Sequence, residues 1–391
     1  FVCPALVNSS PTGTNAIILN TGQSAFAYTP PTGTKMVATH DLPAPAIKDP
    51  SEFFGAMLYT GTGSSAAHTF GGNSNCQPAL VYIMDREITY SRLVFDTIRA
   101  VQQYLTTDGG AAEADAGSNY LSAFGSDGFT EGGGNGTGNA DNTHVAWGWK
   151  AGTTFSGTSN RSKSYTTHYD ATAGISIIGW EGASSTGFQT LNHKLGVAPQ
   201  IGFVKNRDQA DSWGVYTAQG ASSNNTLLLD TTAAQSVRDL FNATFEGTNV
   251  YVNDATSPGQ TNAEGEDYIG YFFAPIAGYS ATGTYEGNGA TDGTFVHLGF
   301  RPKFFMAKSI DSTSGWYIYD SARSPTNTAA GMFYMYADDT TADQQNADIE
   351  FLSNGVKMRV ATDPNVAETY IYLAFAEAPF GGDGVAQARA R

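Results

Sequence analysis

Side chains able to do chemistry recur in register along this chain. Asp96 with Arg99 and Asp320 with Arg323 each set a carboxylate three residues before a guanidinium, and Thr217 and Gly220 stand at the matching positions between them. Such a pair serves as a structural ion pair or turn clamp, or grips a polar ligand from two sides. Exposed pairs contribute only about 0–1 kcal/mol, so a fold can dispense with one. Trp213 and Trp316 begin Trp-x-x-Tyr steps, and Trp147 and Trp149 alternate within one apolar run. Rings on alternate strand positions usually belong to a core; with one face open they become platforms for sugars. Asn139-Ala140-Asp141-Asn142, and Asp338-Asp339 with Asp343, offer oxygen atoms that suit Ca²⁺. Their spacing matches no twelve-residue calcium loop, so no cofactor is called for and Ca²⁺ stays an open option.

Other chemistry finds little footing. His40, His68, His144, His168, His193 and His297 are scattered without metal-ligand spacing, and there is no Cys-x-x-Cys. Gly-x-Ser-x-Gly, His-Glu-x-x-His and Gly-Lys-Ser/Thr motifs are absent. Glycoside hydrolysis needs two carboxylates about 5–9.5 Å apart, and the sequence prefers no particular pair. Cys3 and Cys76 read as buried thiols or as one disulfide, and the run Gly132 to Gly138 reads as a loop.

The elements that must position these residues come in three copies. Pro78 to Phe95, Pro199 to Tyr216 and Pro302 to Tyr319 each span 17 positions, and Tyr59, Trp180 or Tyr285 opens each copy. Each closes with a turn (Asp127-Gly128-Phe129, Thr248-Asn249-Val250, Asn354-Gly355-Val356) and a strand (Val145 to Trp149, Tyr268 to Phe273, Tyr370 to Phe375). Short apolar runs bounded by Gly, Asn, Asp and Pro predict an all-β fold with little helix, built of tandem antiparallel β-sandwich, jelly-roll-like modules. Arg92 to Leu105 is the best helical candidate. Modules are expected over 51–150, 173–275 and 276–380. Residues 1–50 supply terminal strands and a Pro-rich linker, 151–172 form a connector that leaves the first module some independence, and 381–391 form a tail. The second and third modules are expected to pack as a rigid pair.

The chain has 391 residues and a net charge of −16, a field that repels phosphate backbones, and no basic stripe accompanies it. Nucleic acid is therefore not an expected partner. No apolar run reaches 18 residues, so membrane insertion by a helix is not expected. Phe1 reads as the start of a processed or incomplete chain.

Phe26-Ala27-Tyr28-Thr29-Pro30-Pro31 with Asp41-Leu42-Pro43 resembles the last strand of the SPRY/concanavalin-like domain of bacteriophage tail-fibre and appendage proteins. The later motifs Gly196-Val197-Ala198-Pro199, Gly299-Phe300-Arg301-Pro302, Lys205-Asn206-Arg207, Trp316-Tyr317-Ile318-Tyr319-Asp320 and Ala374-Phe375-Ala376-Glu377-Ala378-Pro379-Phe380 resemble the repeated module that follows such domains. The first repeat departs most, with Met84-Asp85-Arg86 in place of Lys205-Asn206-Arg207. The resemblance implies a virion location, other virion proteins as partners, a homo-oligomer expected to be a trimer, and a structural or adhesin role toward a host-surface glycan or protein. It carries no catalytic residues. The sites that remain are Trp213, Trp316, Asp96, Arg99, Asp320 and Arg323 as ligand contacts. A polysaccharide depolymerase and a decoration protein without a receptor role are the alternatives.

Overall fold

The computed structural model describes residues 42, 44–183, 187–219, 225–241, 244–253 and 260–381. The SPRY-like segment, Cys3 and the tail after 381 lie outside the described residues.

The fold is all-β, and every ladder between its named strands is antiparallel. Each module pairs one large sheet with one small one. In the first module the large sheet runs Phe54–Thr60, Thr143–Trp149, Leu80–Asp85, Leu93–Asp96, Gln103–Thr106, Ala114–Asp115, and the small one Ala66–Thr69, Gly128–Glu131, Leu121–Gly125. In the third the large sheet runs Ser280–Glu286, Thr369–Pro379, Phe300–Ser309, Tyr317–Asp320, Met332–Tyr336, Gln344–Asn346, and the small one Phe295–His297, Gly355–Met358, Ile349–Leu352. The second module has the same centre, with Ile175–Glu181, Asp267–Phe273, Ile201–Asn206 and Gly214–Thr217 in that order, over the pair Gln189–Asn192 and Asn249–Val252.

Two expectations need correction. The stretch expected as a connector holds strands Thr153–Thr158 and Ser164–Asp170, which widen the second module's large sheet. Its hydroxyls suit a half-exposed edge as well as they suit a linker. The helix expected over Arg92 to Leu105 is instead two strands, because Leu93, Val94 and Phe95 are all buried and bury both faces of a sheet. The chain turns between them at Asp96, whose carboxylate accepts the N–H groups of Ile98 and Arg99 at 3.0 Å each.

Burial on both faces explains the continuous apolar runs at the large-sheet centres. Val81 and Ile83 face the small sheet of their own module, and Leu80, Tyr82 and Met84 face the other modules. One common core gathers the outward faces of all three large sheets. The rings of Trp149, Phe273 and Phe375, one per module at matching ladder positions, meet at centroid distances of 6.3, 5.7 and 5.6 Å. The first module is thus joined to the other two by the same core, against the independence expected of it. A cavity of about 60 Å³ persists there among Trp149, Trp213, Phe203 and Phe304.

Candidate functional site

Contacts between modules run head to tail and close a ring. The Trp213 indole donates to Thr106 O of the first module at 2.8 Å, and the Trp316 indole donates to Leu228 O of the second at 2.9 Å. Arg92 holds the same position three residues before Phe95, and its Nε donates to Asp339 O of the third module at 2.7 Å. A backbone bond repeats beside each: Glu113 N to Arg207 O, Asp343 N to Arg86 O and Gln235 N to Ile310 O, at 2.8, 2.9 and 3.1 Å. Heterologous contacts of one kind, closed after three steps, give the chain pseudo-threefold symmetry.

The sequence-singled residues sit inside these seams. Between the first and second modules, Arg99 reaches Asp96 at 2.6 Å and Glu113 at 3.2 Å, Arg207 grips Glu113 at 2.8 and 3.0 Å, and the Tyr271 hydroxyl donates to Asp96 at 2.7 Å. Burial works to raise the Asp96 carboxyl, but Arg99 and the Tyr271 hydroxyl outweigh it and hold the group below the usual range. Between the third and first, Arg323 reaches Asp320 at 2.5 Å and Asp343 at 2.8 Å, Arg86 reaches Asp343 at 2.8 Å, and Arg323 lies 5.6 Å from the Trp147 ring. At the remaining seam every matching charge is replaced: Thr217, Gln235 and Ile310 stand there, and Gly220 lies outside the described residues. Removing one member of a buried ion cluster strands its partners, whereas replacing all of them is near neutral, so the four positions change as a set.

This placement corrects the ligand role considered for Trp213, Trp316, Asp96, Arg99, Asp320 and Arg323. None is more than 4% exposed, and their polar atoms are engaged across or beside the seams. The oxygen-rich loops are likewise occupied: Asp338 accepts the Trp316 N–H, Asp343 joins the ion cluster, and Asn142 donates to Asp85. Among the described residues, no three His, Cys, Asp or Glu side chains are grouped to hold a metal ion. Cys76 is a buried free thiol pushed up to about 12 by burial.

Open space meets polar chemistry beside the first–second seam. A groove of about 280 Å³ lies between Ile98 of the first module and Tyr165, Thr166, Glu181, Arg207 and Asp267 of the second. Glu181 and Asp267 are direct cross-strand partners at the ends of their strands. Cβ atoms so paired lie about 4.5–5.5 Å apart. Lys163 holds Glu181 at 2.5 Å, and Arg207 stands 3.7 Å from Asp267. Burial raises the Asp267 carboxyl, Arg207 opposes, and Asp208, Glu181 and Glu113 add to the rise. At the floor Gly179 leaves room for the first module, since a Cβ there would stand 2.7 Å from Ile98. Sequence reading missed this pair, although pairing the opening and closing strands of the repeat sets Glu181 beside Asp267.

Residues 49–379 match the family model described as Domain of unknown function (DUF7483). The chain belongs to that family. No curated protein and no solved structure matches it. Within this DUF7483 chain, the matched span takes in all three modules, both ionic seams and the groove.

Proposed function

We propose that this DUF7483 chain is a bacteriophage virion protein, a subunit of a tail fibre or appendage, that acts as a host-surface adhesin and takes a glycan into the groove beside its first–second seam. The groove is the observation that carries the reading. It sets carboxylate acceptors, a guanidinium donor and the Thr166 hydroxyl in one open groove, the polar chemistry that recognises a polyhydroxylated ring. The resemblance of the repeated motifs to phage appendage modules supports the virion setting. Copies joined as a homotrimer, with other virion proteins as partners, would multiply a weak contact into avidity.

A depolymerase is the second reading. Glu181 and Asp267 are direct cross-strand partners at the groove, and burial raises one of them, as a general acid requires. Binding to bacterial cells and to an array of bacterial surface polysaccharides, with mass spectrometry of every bound glycan, separates the readings. Saturable binding without products is the expected outcome. Released oligosaccharides would transfer the groove to the hydrolytic reading, and absence of binding throughout would leave a decoration role.

A further inference from the structure

The first module differs from its sisters inside its own core. Ladder positions filled by Leu191 and Val252 in the second module, and by Val296 and Met358 in the third, hold His68 and Glu131 in the first. Where the others have Tyr268 and Tyr370, the first has His144. All three modules tie an aromatic of the opening strand to the loop before the closing strand: Tyr59 to Thr137 O, Trp180 to Thr261 O and Tyr285 to Pro364 O, at 2.6, 3.2 and 2.7 Å. Only in the first module is that ring flanked by two imidazoles, with His68 at 4.1 Å and His144 at 5.1 Å.

These groups are poorly partnered. His68 Nε2 stands 3.7 Å from Glu131 Oε1, too far for a hydrogen bond, and His144 Nε2 stands 3.4 Å from Asp85 Oδ2. His68 Nε2, Glu131 Oε1 and both His144 nitrogens lack hydrogen-bond partners, while Glu131 and His144 are fully buried. The other Glu131 oxygen accepts the Gly133 N–H, and a Cβ at Gly138 would lie 1.9 Å from it, so Gly132 to Gly138 is wrapped around this carboxyl. The same run clasps the loop after the opening strand, with Gly63 N donating to Gly138 O at 2.8 Å.

We infer that this cluster is an acid-operated latch: with both imidazoles neutral it seats the Gly132 to Gly138 run against the loop of Gly61 to Ser64, and proton uptake by His68 and His144 releases both. The groups facing the imidazoles are Tyr59 from the opening strand, Glu131 from the small sheet, and Asp85 and Glu87 at the end of Leu80–Asp85; Arg86 turns away to Asp343. Burial, then His144, pushes His68 below the ordinary imidazole range, and burial outweighs Asp85 in doing the same to His144. An opened form therefore takes protons first as pH falls through about 6.5, and the closed form loses stability from there downward. Burial raises the Glu131 carboxyl against the opposing Gly133 N–H, which favours the closed form in acid just above about pH 4.5. Two imidazoles against one carboxyl leave net release between about pH 6.5 and 5.

Hydrogen exchange of the full chain at pH 7.5 and 5.0, corrected for intrinsic rates, tests the latch. Peptides over 61–70 and 128–142 should exchange at least tenfold faster at pH 5.0, as one net proton over about 1.5 pH units requires, while peptides over 295–300 and 349–358 stay unchanged. The triple variant His68→Leu/Glu131→Val/His144→Tyr copies the second module and should abolish the change. His144→Tyr alone, which copies both sister modules at that position, leaves one imidazole against one carboxyl, should remove most of the change, and serves if the triple variant does not fold. Unchanged wild-type protection across this range overturns the latch, as does a variant that opens as far as the wild type.

Discussion

Arg323→Ala should be among the most damaging single substitutions in this protein. The guanidinium is fully buried, bonds Asp320 at 2.5 Å, Asp343 at 2.8 Å and Ile318 O at 2.8 Å, and lies against Trp147. Its loss leaves Asp320 buried without that cation and Asp343 with Arg86 alone. Breaking such a cluster costs about 3–5 kcal/mol, close to the whole stability of a marginal domain. The natural control lies in the same chain, since the second–third seam carries Thr217, Gly220, Gln235 and Ile310 at the corresponding positions. The quadruple variant Asp320→Thr/Arg323→Gly/Asp343→Gln/Arg86→Ile should lose less than Arg323→Ala alone, because no buried charge remains unpaired. Urea unfolding of the two variants beside the wild type reads both numbers. A loss under about 1 kcal/mol for Arg323→Ala, or a quadruple loss equal to the sum of the four single losses, would refute the argument from seam charges.

Other consequences follow from the same geometry. Burial drops Lys205 to about 8, and Met84 holds its position in the first module; Lys205→Met should therefore stabilise by about 1–2 kcal/mol at pH 7 after the loss of its bonds to Asn206 O and Gln209 O. The sign reverses toward alkali: the unfolded lysine releases its proton only near pH 10.4, so the wild type recovers stability above pH 8 and the gain from the variant disappears by about pH 10.5. Denaturant titrations at the two pH values measure this. Trp316→Phe should cost about 1–3 kcal/mol by leaving Leu228 O without its donor in the second–third seam, measurable by thermal unfolding.

Much of the architecture was legible. The 17-residue spacing and the three turn-and-strand endings marked one unit repeated, and the closing strands form at Thr143–Trp149, Asp267–Phe273 and Thr369–Pro379. What the repeat could not reveal was that its copies also share a core, because an apolar run looks the same whether its second face meets its own module or a neighbour. Trp213 and Trp316 were conspicuous for that reason: they are the pegs of the ring. Arg92 plays the third peg with different chemistry, and it went unnoticed because type, not position, drew attention. Serine and threonine content made 153–170 read as a linker when its strands supply the sheet that carries the groove. Glu181 and Asp267 meet only through ladder register, and His68 with Glu131 stand out only once the sister positions are known to be apolar.

The central claim is that the groove beside the first–second seam binds a bacterial surface glycan. The most direct measurement is equilibrium binding of the wild type and of Glu181→Gln/Asp267→Asn to the polysaccharide giving the strongest array signal, with thermal unfolding confirming that both are folded. The account predicts saturable wild-type binding, intact polysaccharide afterwards, and at least a tenfold loss in the variant, the equivalent of about 1.4 kcal/mol. A folded variant that binds as tightly as the wild type would contradict it.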